Sequence, residues 1–154
     1  MTTDQTIEAE IQAKGKTAAR ITPADIEANI ASEHYFTASD GVIGAFTHAQ
    51  AAQGRGMSPG DIPDTIQSLG LLTFCVLVLR NGFTVTGESA CASPENFDAE
   101  IGQKIARQNA AQKIWPLMGY QLRTALAGTP PPVSNAFVAP GCEQFSEPSG
   151  PVSA

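Results

Sequence analysis

The clearest pattern of hydrophobic and polar positions is a pair of β-type runs joined by a turn signal. Residues 71–79 (LLTFCVLVL) are apolar at almost every position, whereas residues 83–89 (FTVTGES) alternate between apolar and polar side chains. Between them lies Asn81-Gly82, a pair that favours a type I′ hairpin turn because both residue types tolerate positive φ. The pattern predicts a β-hairpin whose first strand is central, since both of its faces are apolar.

The first pattern of helical period lies before this hairpin. Thr22 can cap a helix, Pro23 suits the first helical position, and Ile26 and Ile30 follow at a spacing of four. The pattern predicts one amphipathic helix over residues 23–36. Its apolar stripe is narrow, so we expect this helix to pack on a larger element.

A longer helical pattern follows the hairpin, from Phe97 to about Leu126. Ser93-Pro94 offers a cap and a proline at its start, and Pro116 should bend or interrupt it. Its drifting apolar stripe consists of Ile101, Gly102, Ile105, Ala106, Ala110, Ile114 and Leu117. The small residues in this stripe permit a close approach, either to the sheet or to another helix.

Three other segments give weaker signals. Residues 1–20 are polar with a weak helical tendency, and we expect a flexible extension that is mobile or lies on a neighbouring subunit. Residues 37–70 are interpreted as a loop or insertion, in which residues 42–52 carry a pattern that permits a short helix. Residues 128–154 are rich in Pro, Gly and Ser and are predicted to be a disordered tail.

The predicted fold class is therefore α+β, with a single domain over residues 21–127. A small antiparallel hairpin or sheet packs against the N-terminal helix and the long C-terminal helix. Because a lone hairpin is not stable in water, we expect oligomerisation to complete the sheet.

Composition excludes several classes of function. The 154-residue chain has a net charge of −6 and only nine Lys and Arg. Nucleic-acid binding draws most of its affinity from such cations, so we expect no nucleic-acid partner. Residues 1–16 do not resemble a signal peptide, and the longest apolar run is about half of a membrane span. We therefore expect no membrane partner and a location in the cytoplasm.

Catalytic and metal-binding patterns are missing from the sequence. His34 and His48 have no Cys, Asp or Ser at the spacing of a triad or a metal site. Cys75, Cys91 and Cys142 form no CxxC pair. We therefore predict that the protein is not an enzyme and needs neither a metal nor another cofactor.

One short region does carry the groups that hold a nucleotide-like ligand. Phe83 can stack on a base, Ser93 and Asn96 can bond a ribose edge, and Arg107 can pair with a phosphate. The alternative interpretation makes Phe83 part of the core, Ser93 and Asn96 helix caps, and Arg107 a solvated cation. Residue type alone favours that alternative.

Two segments also resemble a known family. Residues 68–123 resemble the core of a widespread family of small tailed-phage and prophage proteins, and residues 21–36 resemble its N-terminal element. The blocks NGFTVTGESA and ENFDAEIG, followed by KIAR and KIWPL, are its most specific parts. The resemblance implies a phage accessory protein in the cytoplasm of a bacterial host.

The family is in turn similar to phage anti-defence "sponge" proteins of the Thoeris-inhibitor type. These bind cyclic ADP-ribose isomers or cyclic oligonucleotides made by bacterial immune systems, without cleaving them, and assemble as dimers or hexamers. The likeness implies that Phe83, Ser93, Asn96 and Arg107 contact such a small nucleotide-like signalling molecule. Two alternatives stay open: a protein-interaction module that inhibits a host protein, and an accessory of virion assembly.

Overall fold

The computed structural model describes residues 3–56, 58, 60 and 65–128, so most of the predicted tail lies outside the described residues. In chain order the elements are helix α1 (Thr3–Ala13), helix α2 (Pro23–Asn29), strand β1 (Ile30–Thr37), helix α3 (Ala38–Ala52), the short helix α4 (Ile66–Leu69), strands β2 (Leu72–Leu79) and β3 (Thr84–Ala90), a 3₁₀ turn (Pro94–Asn96), helix α5 (Ala99–Gln112) and helix α6 (Ile114–Ala127). The predicted α+β class is confirmed, with an N-terminal helix, an antiparallel sheet and a long, bent C-terminal helix. Completion of the sheet by oligomerisation stays a prediction.

The sheet has three antiparallel strands in the order β1-β2-β3, so the apolar strand β2 is central, as its composition predicts. One face of β2 is fully buried beneath α5, and its residues are Thr73, Cys75, Leu77 and Leu79. The opposite face of β2 is only half-buried. The main core therefore lies between α5 and one face of the sheet.

The hairpin is confirmed, but the predicted type I′ turn is wrong. Gly82 has φ +83°, whereas Asn81 does not adopt a positive φ. The Gly82 N–H donates to the Leu79 carbonyl at 2.9 Å, and the Leu79 N–H donates to the Phe83 carbonyl at 2.8 Å. This is a three-residue loop that ends in a left-handed glycine, so only one residue needs the glycine conformation.

The helix predicted over residues 23–36 is also wrong in its second half. Helix α2 ends at Asn29, and the chain continues as β1, which pairs with the edge of β2 from Thr37 back to Ile30. Pairing along a central apolar strand outweighs a narrow helical stripe, because every residue of β1 except Ala31 then gains a neighbour on β2. The predicted start is confirmed: Thr22 forms a capping box with Asp25.

Two segments contain more helix than the sequence indicated. Residues 38–52, predicted as part of a loop or insertion, form α3, which begins with a second capping box between Thr37 and Asp40. Residues 3–13, predicted as part of a flexible extension, form α1. The Arg20 guanidinium donates to the Glu8 carboxylate at 2.6 Å and ties α1 to the start of α2.

Helix α5 contacts the sheet through its small residues rather than its large ones. Gly102, Ala106 and Ala110 are buried, whereas Ile101 and Ile105 are 56% and 44% exposed. The small series therefore packs on the sheet, and the bulky half of the predicted stripe faces outwards.

The predicted interruption of the C-terminal helix is confirmed. Helix α5 ends at Gln112, and α6 begins at Ile114 after the single residue Lys113. Pro116 has no N–H to bond the carbonyl of residue 112, and its ring would clash with that carbonyl in a continuous helix. Ile114 is fully buried and anchors the start of α6 in the core.

Candidate functional site

Phe83 projects from the hairpin tip, and its side chain is 54% exposed. It lines a pocket of about 250 Å³ together with Asn29, Asn81 and Gln121, which supply amides, and with Leu117 and Met118 from α6. The interpretation of Phe83 as a core residue is therefore wrong. An exposed aromatic ring with amides around it can stack on a flat ligand and bond its edges.

Ser93 and Asn96 lie in the segment between β3 and α5. The Asn96 side-chain amide donates to the Ser93 hydroxyl at 3.1 Å, and the Cys91 thiol donates to the Ser93 carbonyl at 3.1 Å. Neither residue caps α5; that role belongs to Asp98, which accepts from the Ile101 N–H at 3.0 Å. Ser93 and Asn96 thus form one local polar group.

Within one chain, Phe83 does not meet this polar group. Phe83 immediately precedes β3, whereas Ser93 and Asn96 follow it. A strand of seven residues separates its ends by roughly 20 Å. A shared site between Phe83 and Asn96 therefore needs a second copy of the chain.

Arg107 is neither free nor simply solvated. Its guanidinium donates to the Glu33 carboxylate through Nε at 3.0 Å and through Nη2 at 2.7 Å. It also donates to Glu27 through Nη1 at 3.2 Å and Nη2 at 2.7 Å. Arg107 thereby joins α5 to β1 and α2, and these bonds engage most of its donors.

This network shifts the pKa values of its members. The hydrogen bonds from Arg107 hold the pKa of Glu33 below its usual range. Burial, together with the bond that the Tyr35 hydroxyl donates to Glu33 at 2.6 Å, raises the pKa of Tyr35. Burial likewise raises the pKa of the Cys75 thiol. Cys75 is therefore a protonated, inaccessible core residue rather than a nucleophile.

A larger cleft of about 780 Å³ opens between α1, α2 and α5, and we refer to it as the α1–α5 cleft. Ile26, Ala111 and Trp115 provide apolar lining, and Asp4 and Arg107 lie among its polar residues. This cleft is not predictable from the local sequence pattern, which places the residues of α1 in a flexible extension. Glu27 and Glu33 were missed for a related reason: they meet Arg107 only through the tertiary fold.

Metal and membrane features are not found in the part of the chain that the structure describes. No group of three or more His, Cys, Asp and Glu there could hold a metal ion. None of the described helices is both long enough and apolar enough to cross a membrane. His34 is exposed on β1, where its ring lies 3.1 Å from the Ser32 hydroxyl.

Comparison with known proteins identifies a family. Residues 21–126 match the sequence profile of the Phage protein (N4 Gp49/phage Sf6 gene 66) family. The match runs from the residue before Thr22 almost to the end of α6 and leaves α1 outside. No curated protein and no solved structure matches the chain. The predicted relationship to small phage proteins is confirmed, and the likeness to anti-defence proteins stays a prediction.

Proposed function

We propose that this chain, which belongs to the Phage protein (N4 Gp49/phage Sf6 gene 66) family, binds and holds a nucleotide-like immune signal of the bacterial host without cleaving it. The ligand class is a cyclic ADP-ribose isomer or a cyclic oligonucleotide, and the site of action is the host cytoplasm. The observation that carries the proposal is the exposed Phe83 ring with amides beside it. Aromatic side chains are enriched at binding surfaces, and Phe83 lies beside the apolar Leu117 and Met118 rather than alone.

The proposed site lies between copies of the chain. The backbone groups of Phe83 and Cys91, at the two ends of β3, form hydrogen bonds with β2. Because the backbone groups of successive residues point alternately to the two sides of a strand, those of Thr84 and Thr86 point away from β2. Two copies that paired antiparallel along this edge would bring the hairpin tip of one beside residues 93–96 of the other. The aromatic ring and the amide group would then share one pocket.

Arg107 lies on the β1 side of the molecule, away from this edge. Its proposed contact with a phosphate therefore requires a further neighbouring copy, or release of the Glu27 carboxylate. An assembly larger than a dimer satisfies the first condition. Sequestration without chemistry needs only tight binding, for which enclosure between subunits is the usual means with so small a ligand.

Calorimetry with cyclic ADP-ribose isomers and cyclic di- and trinucleotides tests the proposal. We expect saturable heat with one of these ligands, and intact ligand after the protein is denatured. Phe83→Ala should abolish the heat, whereas Phe46→Ala, which removes another exposed phenylalanine (39% exposed) on α3, should not. Absence of heat with every ligand, or recovery of cleaved ligand, would contradict the proposal.

A second candidate function is a protein-interaction module, and the half-buried face of the sheet favours it. Phe36 and Phe74 stack there with ring centroids 5.6 Å apart, and Phe36 is 38% exposed. Val76 and Val78 continue the same face along β2. A pull-down from host lysate that retains one stoichiometric protein with the wild type, but not with Val76→Lys, would favour this candidate over the first.

A further inference from the structure

The pocket of about 250 Å³ that Phe83 lines, which we call the Phe83 pocket, contains aromatic, aliphatic and amide groups, and none of the described residues that line it is charged. The ligands proposed above carry phosphate groups, whose strongest protein partners are cations. Arg107 does not line this pocket, and its guanidinium is engaged by Glu27 and Glu33. A phosphate at this pocket therefore requires a different cation.

Arg80 lies directly beside the Phe83 pocket. Its two neighbours in the chain, Leu79 and Asn81, both line the pocket. The Arg80 N–H donates to the carbonyl of Asn29, another lining residue, at 2.9 Å. Arg80 is three positions from Phe83, so their Cα atoms are at most about 11 Å apart. The backbone thus holds this cation at the rim of the pocket.

The Arg80 guanidinium is oriented by one bond, and the rest of it is unused. Its Nε donates to the Ala28 carbonyl in the last turn of α2. Neither of its Nη groups donates to a described residue, and no described carboxylate lies within ion-pair distance of Arg80. The two Nη groups form a planar fork that matches the oxygens of a phosphate.

A purely structural role accounts for only part of this arrangement. A cation near the end of α2 stabilises that helix, and the Nε bond to Ala28 serves this purpose. The backbone bond to Asn29 needs no particular side chain at position 80. The Nη fork contributes to neither contact. Arg80 is also the only charged residue of the loop from Leu79 to Phe83, in a chain whose net charge is −6.

Asn81 supplies a second group that is fixed and still able to bind. Its Oδ1 accepts from the Phe83 N–H at 3.0 Å, which holds the side-chain amide beside the ring. Its Nδ2 donors have no acceptor among the described residues. A base stacked on Phe83 presents acceptor atoms at its edge to such donors. Stacking, edge donors and a phosphate fork therefore come from one short loop.

We propose that Arg80, Asn81 and Phe83 form a site for one nucleoside monophosphate unit within a single copy of the chain. Phe83 stacks on the base, the Asn81 amide donates to its edge, and the Arg80 Nη groups bind the phosphate. This inference rests on the function proposed above and assigns the phosphate contact to a residue that needs no second copy. The second copy would then enclose the rest of a cyclic ligand.

Calorimetry with adenosine and with adenosine 5′-monophosphate tests the assignment, because these probes differ only in the phosphate. We expect the full chain to bind the monophosphate about tenfold or more tightly than adenosine. Arg80→Gln should remove this difference and leave the adenosine affinity unchanged, which also shows that the variant is folded. Arg55→Gln is the matched control: it removes the same charge from a residue that lines neither pocket, and it should keep the wild-type difference.

Equal binding of the two probes by the wild type, or binding of neither, would overturn the assignment. Equal weakening of both probes in Arg80→Gln would overturn it too, since Arg80 would then only support the hairpin. An equal effect of Arg55→Gln would do the same, because only the overall charge would then matter.

Titration of Arg80→Gln with the cyclic ligands separates this inference from the function on which it rests. A cyclic ligand whose heat and affinity are unchanged in Arg80→Gln would leave the function standing and reject the role of Arg80. Binding of the monophosphate that depends on Arg80, together with no heat from any cyclic ligand, would reject the function and retain the site.

Discussion

Gly87 determines how closely helix α5 approaches the sheet. A Cβ atom at this position would lie 2.1 Å from the Ala106 carbonyl oxygen and 2.3 Å from the Ala110 nitrogen. Both are backbone atoms of α5, so no side-chain rotation can relieve the overlap. The small residues of α5 and Gly87 on β3 therefore form one tightly packed contact, and the core depends on the absence of a single methyl group.

Gly87→Ala should destabilise the protein by about 3 kcal/mol or more, because α5 must move away from the sheet and lose its contacts there. Urea unfolding followed by circular dichroism measures the loss. Gly119→Ala is the control: it also adds one methyl group, but a Cβ at Gly119 in α6 meets nothing within 4 Å. That variant should be more stable by about 0.5–1 kcal/mol, as expected for alanine in a helix. Similar losses in both variants would contradict the close contact at Gly87.

The ion pair between Arg107 and Glu33 links folding to pH. Glu33 has its pKa lowered in the folded chain from a usual value of 4.5. Its carboxylate form is therefore favoured by folding, so this contribution to stability is complete above pH 4.5 and is lost as the pH falls through the lowered value.

Glu33→Gln should cost about 1–2 kcal/mol at pH 7, because Arg107 loses its charged partner on β1. The variant should also lose less stability than the wild type between pH 7 and pH 3, since the titrating group has been removed. Urea unfolding at several pH values measures both effects. Glu10→Gln removes only an exposed ion pair and should leave both unchanged. A wild-type acid dependence in Glu33→Gln would show that this carboxylate is not the linked group.

Contacts between residues close in sequence could be predicted, and contacts between distant residues could not. The polar pair of Ser93 and Asn96 could be predicted, since its members are close in sequence. The partners of Arg107 could not, because Glu33 lies 74 residues away along the chain and Glu27 lies 80 away. Such a contact exists only once β1 and α5 are placed, and β1 itself had been predicted as helix.

At the scale of elements, the two capping boxes set the order of helix and strand around β1. The Thr37 N–H donates to the Asp40 carboxylate at 2.8 Å, and the Thr37 hydroxyl accepts from the Asp40 N–H at 3.2 Å. Strand β1 therefore ends at Thr37, and the same residue caps the first turn of α3. Helix α3 has no buried residue, so its stability rests on local bonds more than on packing.

Thr37→Ala should therefore loosen α3 more than the rest of the fold. We expect a cost of about 1 kcal/mol for the lost cap. Amide hydrogen exchange measures it: amides of α3 should exchange several-fold faster, while those of α5 should change little. Thr86→Ala, at an exposed position of β3, removes the same side-chain groups without a cap and should not alter exchange in α3. Equal acceleration in α5 would mean that α3 unfolds only with the whole domain.

Elements with strong local signals could be predicted, and those that depend on a neighbour could not. The hairpin was predicted from alternation and a glycine turn, and the break before α6 from Pro116. Strand β1 was missed because Ile26 and Ile30 have helical spacing, although only Ile26 belongs to the helix. Ile30 opens a strand because the free edge of β2 lies next to it, and that edge is not visible in a local pattern.

At the scale of the whole molecule, much apolar surface stays uncovered among the described residues. Phe83, Tyr120 and Leu126 are 54%, 68% and 61% exposed, and α3 buries none of its side chains. The sheet is tightly covered by α5 on one face and only half-buried on the other. Surfaces of this kind mark contacts with other molecules, and the function proposed above requires that one such contact be with another copy, because Phe83 and Asn96 are too far apart within one chain to share a ligand.

A site shared between two copies predicts that two inactive variants restore one another. Phe83→Ala and Asn96→Ala should each abolish ligand heat as pure proteins. When they are unfolded together and refolded as a mixture, half of the dimers contain one copy of each. One of the two sites in such a dimer has both native residues, so roughly a quarter of all sites should bind with wild-type affinity. Calorimetric stoichiometry measures this fraction. A mixture that stays inactive would place Phe83 and Asn96 in different sites, because no pairing of copies would then bring them to one ligand.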